Sequence, residues 1–167
     1  MLIYGGGPVG LMMALVAQSL GAEPLILENN PLRIRQTETF RMRLGLNAVP
    51  QYGGLSSDLV VNACSSLDAF RQGVTQLRSG GRFCLFSGFP DEGEASASLL
   101  NQVHYRQLKV VGAYGCTRRQ MARSLGIIQA RSEALALLIE ERVTLEAVPS
   151  ALPRILLGQS LKVIVDF

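Results

Sequence analysis

The chain is poor in histidine, cysteine and lysine, and each shortage closes off a class of function. Its 167 residues hold one histidine (His104), three cysteines (Cys64, Cys84, Cys116), and no lysines besides Lys109 and Lys162. A catalytic zinc needs three protein ligands converging on the ion. His104 and the cysteines show no such spacing, so no zinc bound by this chain alone is expected. The cysteines are odd in number, far apart and set in strand-like runs, which predicts buried free thiols rather than a disulfide frame. Long apolar runs are also missing. Residues 11–22 fall short of the roughly 18 to 20 uncharged residues of a membrane span. The N-terminus has no basic region followed by a small-residue cleavage site, so no signal peptide, no membrane partner and a cytoplasmic location are expected. The net charge of +3 comes mainly from arginine. Arg33, Arg35, Arg41 and Arg43 cluster in one segment, without basic residues over several elements or stacking aromatics. That reads as a solvated helix face, and no nucleic-acid partner is expected. The length suits one domain, or one domain with an appendage.

What is present is glycine in a particular place. Gly5-Gly6-Gly7-Pro8-Val9-Gly10 stands between a short apolar run, residues 2–4, and a helical pattern, residues 11–20. A second apolar run, residues 24–27, ends in Glu28 followed by Asn29. In a dinucleotide-binding turn, Gly5 lets the chain reverse tightly, Gly7 lets backbone approach a pyrophosphate, and Gly10 lets the helix lie close to the sheet. The phosphates meet unpaired N–H groups and the positive end of the helix dipole. Glu28 falls where a carboxylate accepts hydrogen bonds from an adenosine ribose, and its charge repels a 2′-phosphate. NAD is therefore expected in preference to NADP.

Apolar runs alternate with helical patterns along the chain, which predicts an α/β fold: a Rossmann-type doubly wound parallel sheet in three layers, α/β/α. Strands are expected at residues 2–4, 24–28, 58–63, 82–86 and 108–113, with a vestigial one at 47–49 cut short by Pro50 and Gly53-Gly54. Helices are expected at 8–20, from Pro31 to about Leu44, and at 66–77. Residues 91–98 read as a polar loop leading through 99–105 into the sixth strand. A long helix from about Thr117 to Glu140, a helix over 149–157 and a last strand over 161–167 complete the chain. Residues 1–116 are the expected dinucleotide-binding domain. Residues 117–167 are the expected tail, packing on the same domain or on a partner. Ligands of such sheets lie where the strand order reverses, which gathers Gly5 to Gly10, Glu28, Ala63 to Ser66 and Ser87 to Phe89 around one crevice.

The segments IYGGGPVGLMMALVAQSLGA, SSLDAFRQGVTQLRSGGRFCLFSGFP, HYRQLKVVGAYGCTRRQ and SLKVIVDF closely resemble the coenzyme domain of medium-chain, zinc-type alcohol and polyol dehydrogenases. The resemblance implies that Gly5, Gly7, Pro8, Val9 and Gly10 form the pyrophosphate loop and that Glu28 is the ribose-binding acid. It further implies that Arg33 touches the adenosine side, and that the Ser87, Gly88 and Phe89 backbone holds the nicotinamide carboxamide. Lys162 matches a basic position that in relatives can reach the pyrophosphate; a solvated lysine is the alternative. Ser65 stands where the family usually has glycine, so its side chain crowds the cofactor or adds a hydroxyl contact. The stretch between Ala147 and Pro149 is shorter than in the family. The zinc-bearing catalytic domain of the family would precede the first strand, and none of its motifs occurs in these residues. The apolar face after Thr117, including Leu125, Ile128, Leu135 and Leu138, then needs another cover, a homodimer or a partner chain. Three functions stay open at this point. The chain is an NAD(H)-binding module without catalysis of its own, or a dehydrogenase half completed by another chain or by an unusual base such as Tyr105 or Tyr114. Or it is a structural or regulatory subunit that has lost the cofactor.

Overall fold

Every apolar run expected to be a strand is one, and all but the last join a single parallel sheet. The computed structural model describes residues 1–51, 53–54, 57–90 and 93–167. Strands β1 (Leu2–Tyr4), β2 (Leu25–Leu27), β3 (Asn47–Val49), β4 (Ser57–Asn62), β5 (Leu77–Leu85) and β6 (Lys109–Gly112) form a six-stranded sheet in the order β3-β2-β1-β4-β5-β6. All of its neighbours run parallel. The order reverses between β1 and β4, which opens the ligand crevice of a Rossmann-type fold there.

Strand pleating sends alternate side chains to opposite faces, and both faces are buried. Leu2 and Tyr4 join Val60, Val74, Leu77, Phe83, Leu99 and Leu108 on one face. Two helices, α4 (Leu67–Gln76) and α5 (Ala97–Tyr105), cover that side. Ile3, Ile26 and Val61 pack on the other face, against α1 (Pro8–Ser19), α3 (Glu38–Leu44) and α7 (Ser132–Ala136). Each large apolar side chain so buried contributes about 1.5–3 kcal/mol. Helix starts carry the expected local signals: Pro8 and Pro31 at first helical positions, and Ser66, Ser96 and Asn30 as side-chain caps.

Several expectations are corrected. The helix expected from Pro31 to Leu44 is two, α2 (Pro31–Gln36) and α3, meeting at the buried Thr37. Its hydroxyl donates to Arg33 O at 2.9 Å, while Arg41 Nη2 takes Ile34 O at 2.8 Å, so the carbonyls at the break are satisfied by side chains. Strand β5 begins at Leu77, five residues early, because the pairing with β4 resumes after a bulge around Gly80 and Gly81. The stretch read as passing from loop to strand contains α5; Leu99 and Val103, one turn apart, hold it to the core. Within the expected polar loop, Asp91 and Glu92 lie outside the described residues.

The long helix expected from Thr117 to Glu140 is α6 (Arg118–Ala130) and α7, followed by a strand, β7 (Ile139–Thr144). A 3-10 turn (Leu145–Ala147) and α8 (Val148–Leu156) lead to β8 (Lys162–Asp166), which pairs parallel with β7 in a second, two-stranded sheet. The apolar residues after Thr117 also divide. Leu138 is buried and Leu135 partly buried against the α1 side of the main core, so the chain covers them itself, whereas Leu125 and Ile128 remain exposed.

Candidate functional site: a glycine turn facing a carboxylate

The glycines between β1 and α1 differ in what holds them. Gly5 takes φ +109° and donates its N–H to Leu27 O at 2.9 Å, so the chain turns sharply while still tied to β2. A Cβ on Gly10 would stand 1.9 Å from Gly5 O, which binds helix and turn into direct contact. Gly7 is different: a Cβ there would meet nothing within 4 Å. The protein's own packing does not require that glycine, and the ground before it is open to a ligand. Gly7 caps α1 without a side-chain hydrogen bond, and no acidic residue occupies the first turn. The leading N–H groups and the positive helix end thus face this ground unneutralised. That arrangement fits an anion such as a pyrophosphate.

Glu28 is held in place from both sides. Its Oε2 accepts from Gly6 N–H and its Oε1 from Asn30 N–H, each at 2.8 Å. A Cβ on Gly6 would crowd the Glu28 side chain at 3.0 Å, so Gly6, not singled out from the sequence, seats the acid. Asn30 then caps α2, accepting from Leu32 N–H at 2.9 Å. Arg33 turns away from this junction: its Nη2 donates to Gly158 O at 2.6 Å, and Gln36 Nε2 donates to Gln159 O at 2.8 Å.

Between these groups and the start of α4 lies a cavity of about 360 Å³. Gly5, Glu28, Asn29, Cys64, Ser66 and Asp68 line it, together with Tyr4, Leu27 and Pro50. Gln51, Ala69 and Gln72 complete it; with Tyr4, Pro50 and Asp68 they carry no motif by which a sequence reading could find them. Asn62 organises one wall. Fully buried, it accepts from Cys64 N–H at 3.2 Å and Cys64 Sγ at 3.4 Å, and its Nδ2 has no partner among the described residues. Burial pushes the Tyr4 hydroxyl up to about 12, with Cys64 adding to it. The Cys64 thiol is also raised, first by burial and further by the Glu28 charge, against a lowering hydrogen bond from the Ser66 backbone. At neutral pH both are protonated, and the acidic side chains of the cavity lining are Glu28 and Asp68.

The remaining sequence-derived residues do not line this cavity. Pro8, Val9 and Gly10 open α1. Ser65 is exposed and does not line the cavity. Ser87 N–H donates to Asn62 O at 3.1 Å, extending the β4–β5 ladder, and Gly88 is exposed. Phe89 packs its ring 5.5 Å from Phe70, whose ring meets Phe83 edge-on at 5.0 Å. Lys162 is exposed on β8. Tyr105 and Tyr114 are exposed and outside the cavity lining. Among the described residues, no three histidine, cysteine or acidic side chains gather as a metal site, and no helix is long and apolar enough to cross a membrane.

No protein-family model matches the chain. It is 30% identical over 124 residues to an L-threonine 3-dehydrogenase of Coxiella burnetii, a match covering 68% of this chain and 35% of that protein. The fold is that of an alcohol dehydrogenase from Thermotoga maritima, with a TM-score of 0.85 at 21% identity over 98% of this chain and 48% of that one. It is similar also to an E. coli short chain alcohol dehydrogenase complexed with NADH, with a TM-score of 0.79 at 17% identity over 99% of this chain and 51% of that one. The chain spans about half the length of the curated relatives it matches end to end. With the glycine turn, the seated acid and the strand order in agreement, the chain belongs to the medium-chain, zinc-type alcohol and polyol dehydrogenase superfamily, whose coenzyme-domain half it carries.

Proposed function

We propose that this chain binds NAD(H) as the coenzyme half of an alcohol- or polyol-dehydrogenase-like oxidoreductase and does not catalyse hydride transfer alone. One observation carries the reading: the open ground before Gly7, at an uncapped helix start, adjoins a carboxylate already oriented by Gly6 and Asn30. In this reading residues 1–116 are the cofactor module and 117–167 its tail. Gly5, Gly7, Pro8, Val9 and Gly10 meet the pyrophosphate; Glu28, with Asn29 beside it, accepts from the adenosine ribose; the turn holding Ser65 borders the nicotinamide-side ribose. The backbone of Ser87, Gly88 and Phe89 serves the carboxamide, and Lys162 the outer phosphate charge. The E. coli relative's complex with NADH supports the cofactor class. Glu28 favours NAD over NADP, because its fixed charge opposes a 2′-phosphate.

A bound nicotinamide supplies the hydride acceptor, but alcohol oxidation also needs a group to take the hydroxyl proton within hydrogen-bond reach. Tyr105 and Tyr114 lie outside the cleft lining. Titration with NADH, read by nicotinamide fluorescence, tests the proposal. Saturable micromolar binding without alcohol-dependent NADH formation, with or without added zinc, is the expected result. Absence of binding with both NADH and NADPH overturns it and favours a subunit that has lost its cofactor.

A second reading, a dehydrogenase half completed by another chain, draws on an apolar groove of about 500 Å³ along α1, β4 and the end of β5. Val9, Met12, Val16, Leu20 and Phe86 are exposed along it. Such a surface is rarely left to water on a stable monomer. Activity appearing only when a zinc-bearing partner chain is added would select this reading over the first.

A further inference from the structure

Strands β4, β5 and β6 have α4 and α5 on one face, while on the other face the groove beside α1 lies open. Parallel strands are ordinarily covered on both faces, most often by helices. Met12, Met13 and Val16 of α1 wall the groove, and Leu59, Val61 and Cys84 floor it. Val111, beside Cys84 on the next strand, is 47% exposed, so the floor runs on to the edge of the sheet. An apolar trough between a helix and a sheet has the form that receives the apolar face of another helix. Flexible methionines let its wall adapt to the side chains that arrive.

The charges gather at one end. Leu59, Arg82 and Lys109 are register partners across β4, β5 and β6, so all three point to the groove face, toward the beginnings of the strands. Leu20, at the close of α1, lines both the groove and a neighbouring recess bounded by Arg123 and Arg131. Among the described residues, none of these four cations has an ion-pair partner. Asp58, next to Leu59, is already engaged by Arg78, which leaves Glu23, next to Ala22 of the lining, as the acid nearby. The result is a positive rim around one end of an apolar trough.

We propose that this groove docks an amphipathic helix of another protein chain, its apolar face on Met12, Val16 and Val61 and acidic residues of its last turn facing Arg82, Lys109, Arg123 and Arg131. A helix laid antiparallel to the strands, as the crossover helix α1 is, brings its C-terminal end to those cations, where they also meet the negative end of its dipole. No described helix of eight or more residues in this chain carries an acid in its last turn, so a second copy does not supply the match. The inference gives chemistry to the second reading of the groove and rests on that reading, not on the cofactor.

The probe is a fluorescein-labelled helical peptide with leucines at i, i+3, i+4 and i+7 and a pair of glutamates in its last turn. Its controls carry glutamines there, or the glutamates in the first turn. Fluorescence anisotropy should show the last-turn glutamate form bound about three- to tenfold more tightly than the glutamine form, the range of two exposed ion pairs, with the advantage lost at high salt. Arg82→Gln with Lys109→Gln, both at exposed positions, should shrink the preference while the glutamine form binds as before. Val16→Glu, within the trough, should abolish binding of every form. Equal affinity for the glutamate and glutamine forms overturns the proposal alone and leaves the groove a general apolar contact, as does tighter binding of the first-turn form. Binding that survives Val16→Glu, or no binding by any peptide, overturns the groove reading with it. Self-association that Val16→Glu abolishes assigns the groove to a second copy, against the proposal. Circular dichroism checks each fold; should Val16→Glu not fold, the Arg82 and Lys109 variant decides.

Discussion

Gly5 O and Gly10 approach so closely that one methyl group separates an intact glycine turn from a broken one. With a Cβ 1.9 Å from that oxygen, Gly10→Ala must push α1 off the sheet. Overpacking of this kind costs about 1–3 kcal/mol. The lower urea midpoint should come with weakened NADH binding. Gly7→Ala separates the two effects: its Cβ meets nothing of the protein, so stability stays near native while nucleotide affinity falls. Equal losses at both positions would contradict a ligand-facing Gly7. Tyr4 adds a pH dependence. Its hydroxyl titrates near 10.0 when free and at about 12 in the fold, because burial disfavours the phenolate. The folded state therefore holds the proton more tightly, and stability is intact below pH 10 and declines as pH rises toward 12. Urea midpoints at stepped alkaline pH should show the decline, and Tyr4→Phe should remove this residue's share of it.

Among the elements, α2 and α3 matter most, because the acid's setting depends on where they begin. Phe40, fully buried, anchors α3 against Leu11, Leu15 and Ile26 on the α1 face. Phe40→Ala should cost about 3–5 kcal/mol and loosen the segment from Asn30 onward, read as faster amide exchange there. The outer strand is the other element with a consequence. All of β6, Lys109–Gly112, is exposed, and among the described residues it pairs only with β5. An open, apolar edge with Val110 and Val111 on it is a template for a second copy. Light scattering should find an isologous dimer, and Val111→Lys should return a monomer. A native chain that is monomeric at high concentration removes β6 as the pairing edge.

For the whole molecule, the reach of sequence reasoning followed the range of the interactions involved. The glycine turn, the acid and the caps were legible because each depends on neighbours a few residues away: Gly7 before Pro8, Asn30 before Pro31, Ser66 before Leu67. The apolar runs announced parallel strands, and the short one expected at 47–49 before Pro50 is β3. The errors gathered where the pattern was ambiguous without a partner. Leu135 and Leu138 continue the helical spacing of α6, and only pairing with β8 turns Ile139–Thr144 into a strand. In the cleft, Tyr4, Pro50, Asp68 and Gln72 come together from separate elements, and Asn62 holds Cys64 of the same lining.

The sequence by itself determined a strand, a tight turn and a helix that present backbone N–H groups to an anion, with a carboxylate at the end of the next strand. Steric freedom, caps and apolar periodicity are local properties. Only the tertiary structure decided which partners those groups take. It seated Glu28 on Gly6 and Asn30, carried Arg33 across to Gly158, and drew α7 into the core while leaving the α6 stripe in water. Gly6 and Glu28 stand 22 positions apart and Arg33 and Gly158 125, so their hydrogen bonds depend on how the sheet is ordered, and no local pattern encodes that order.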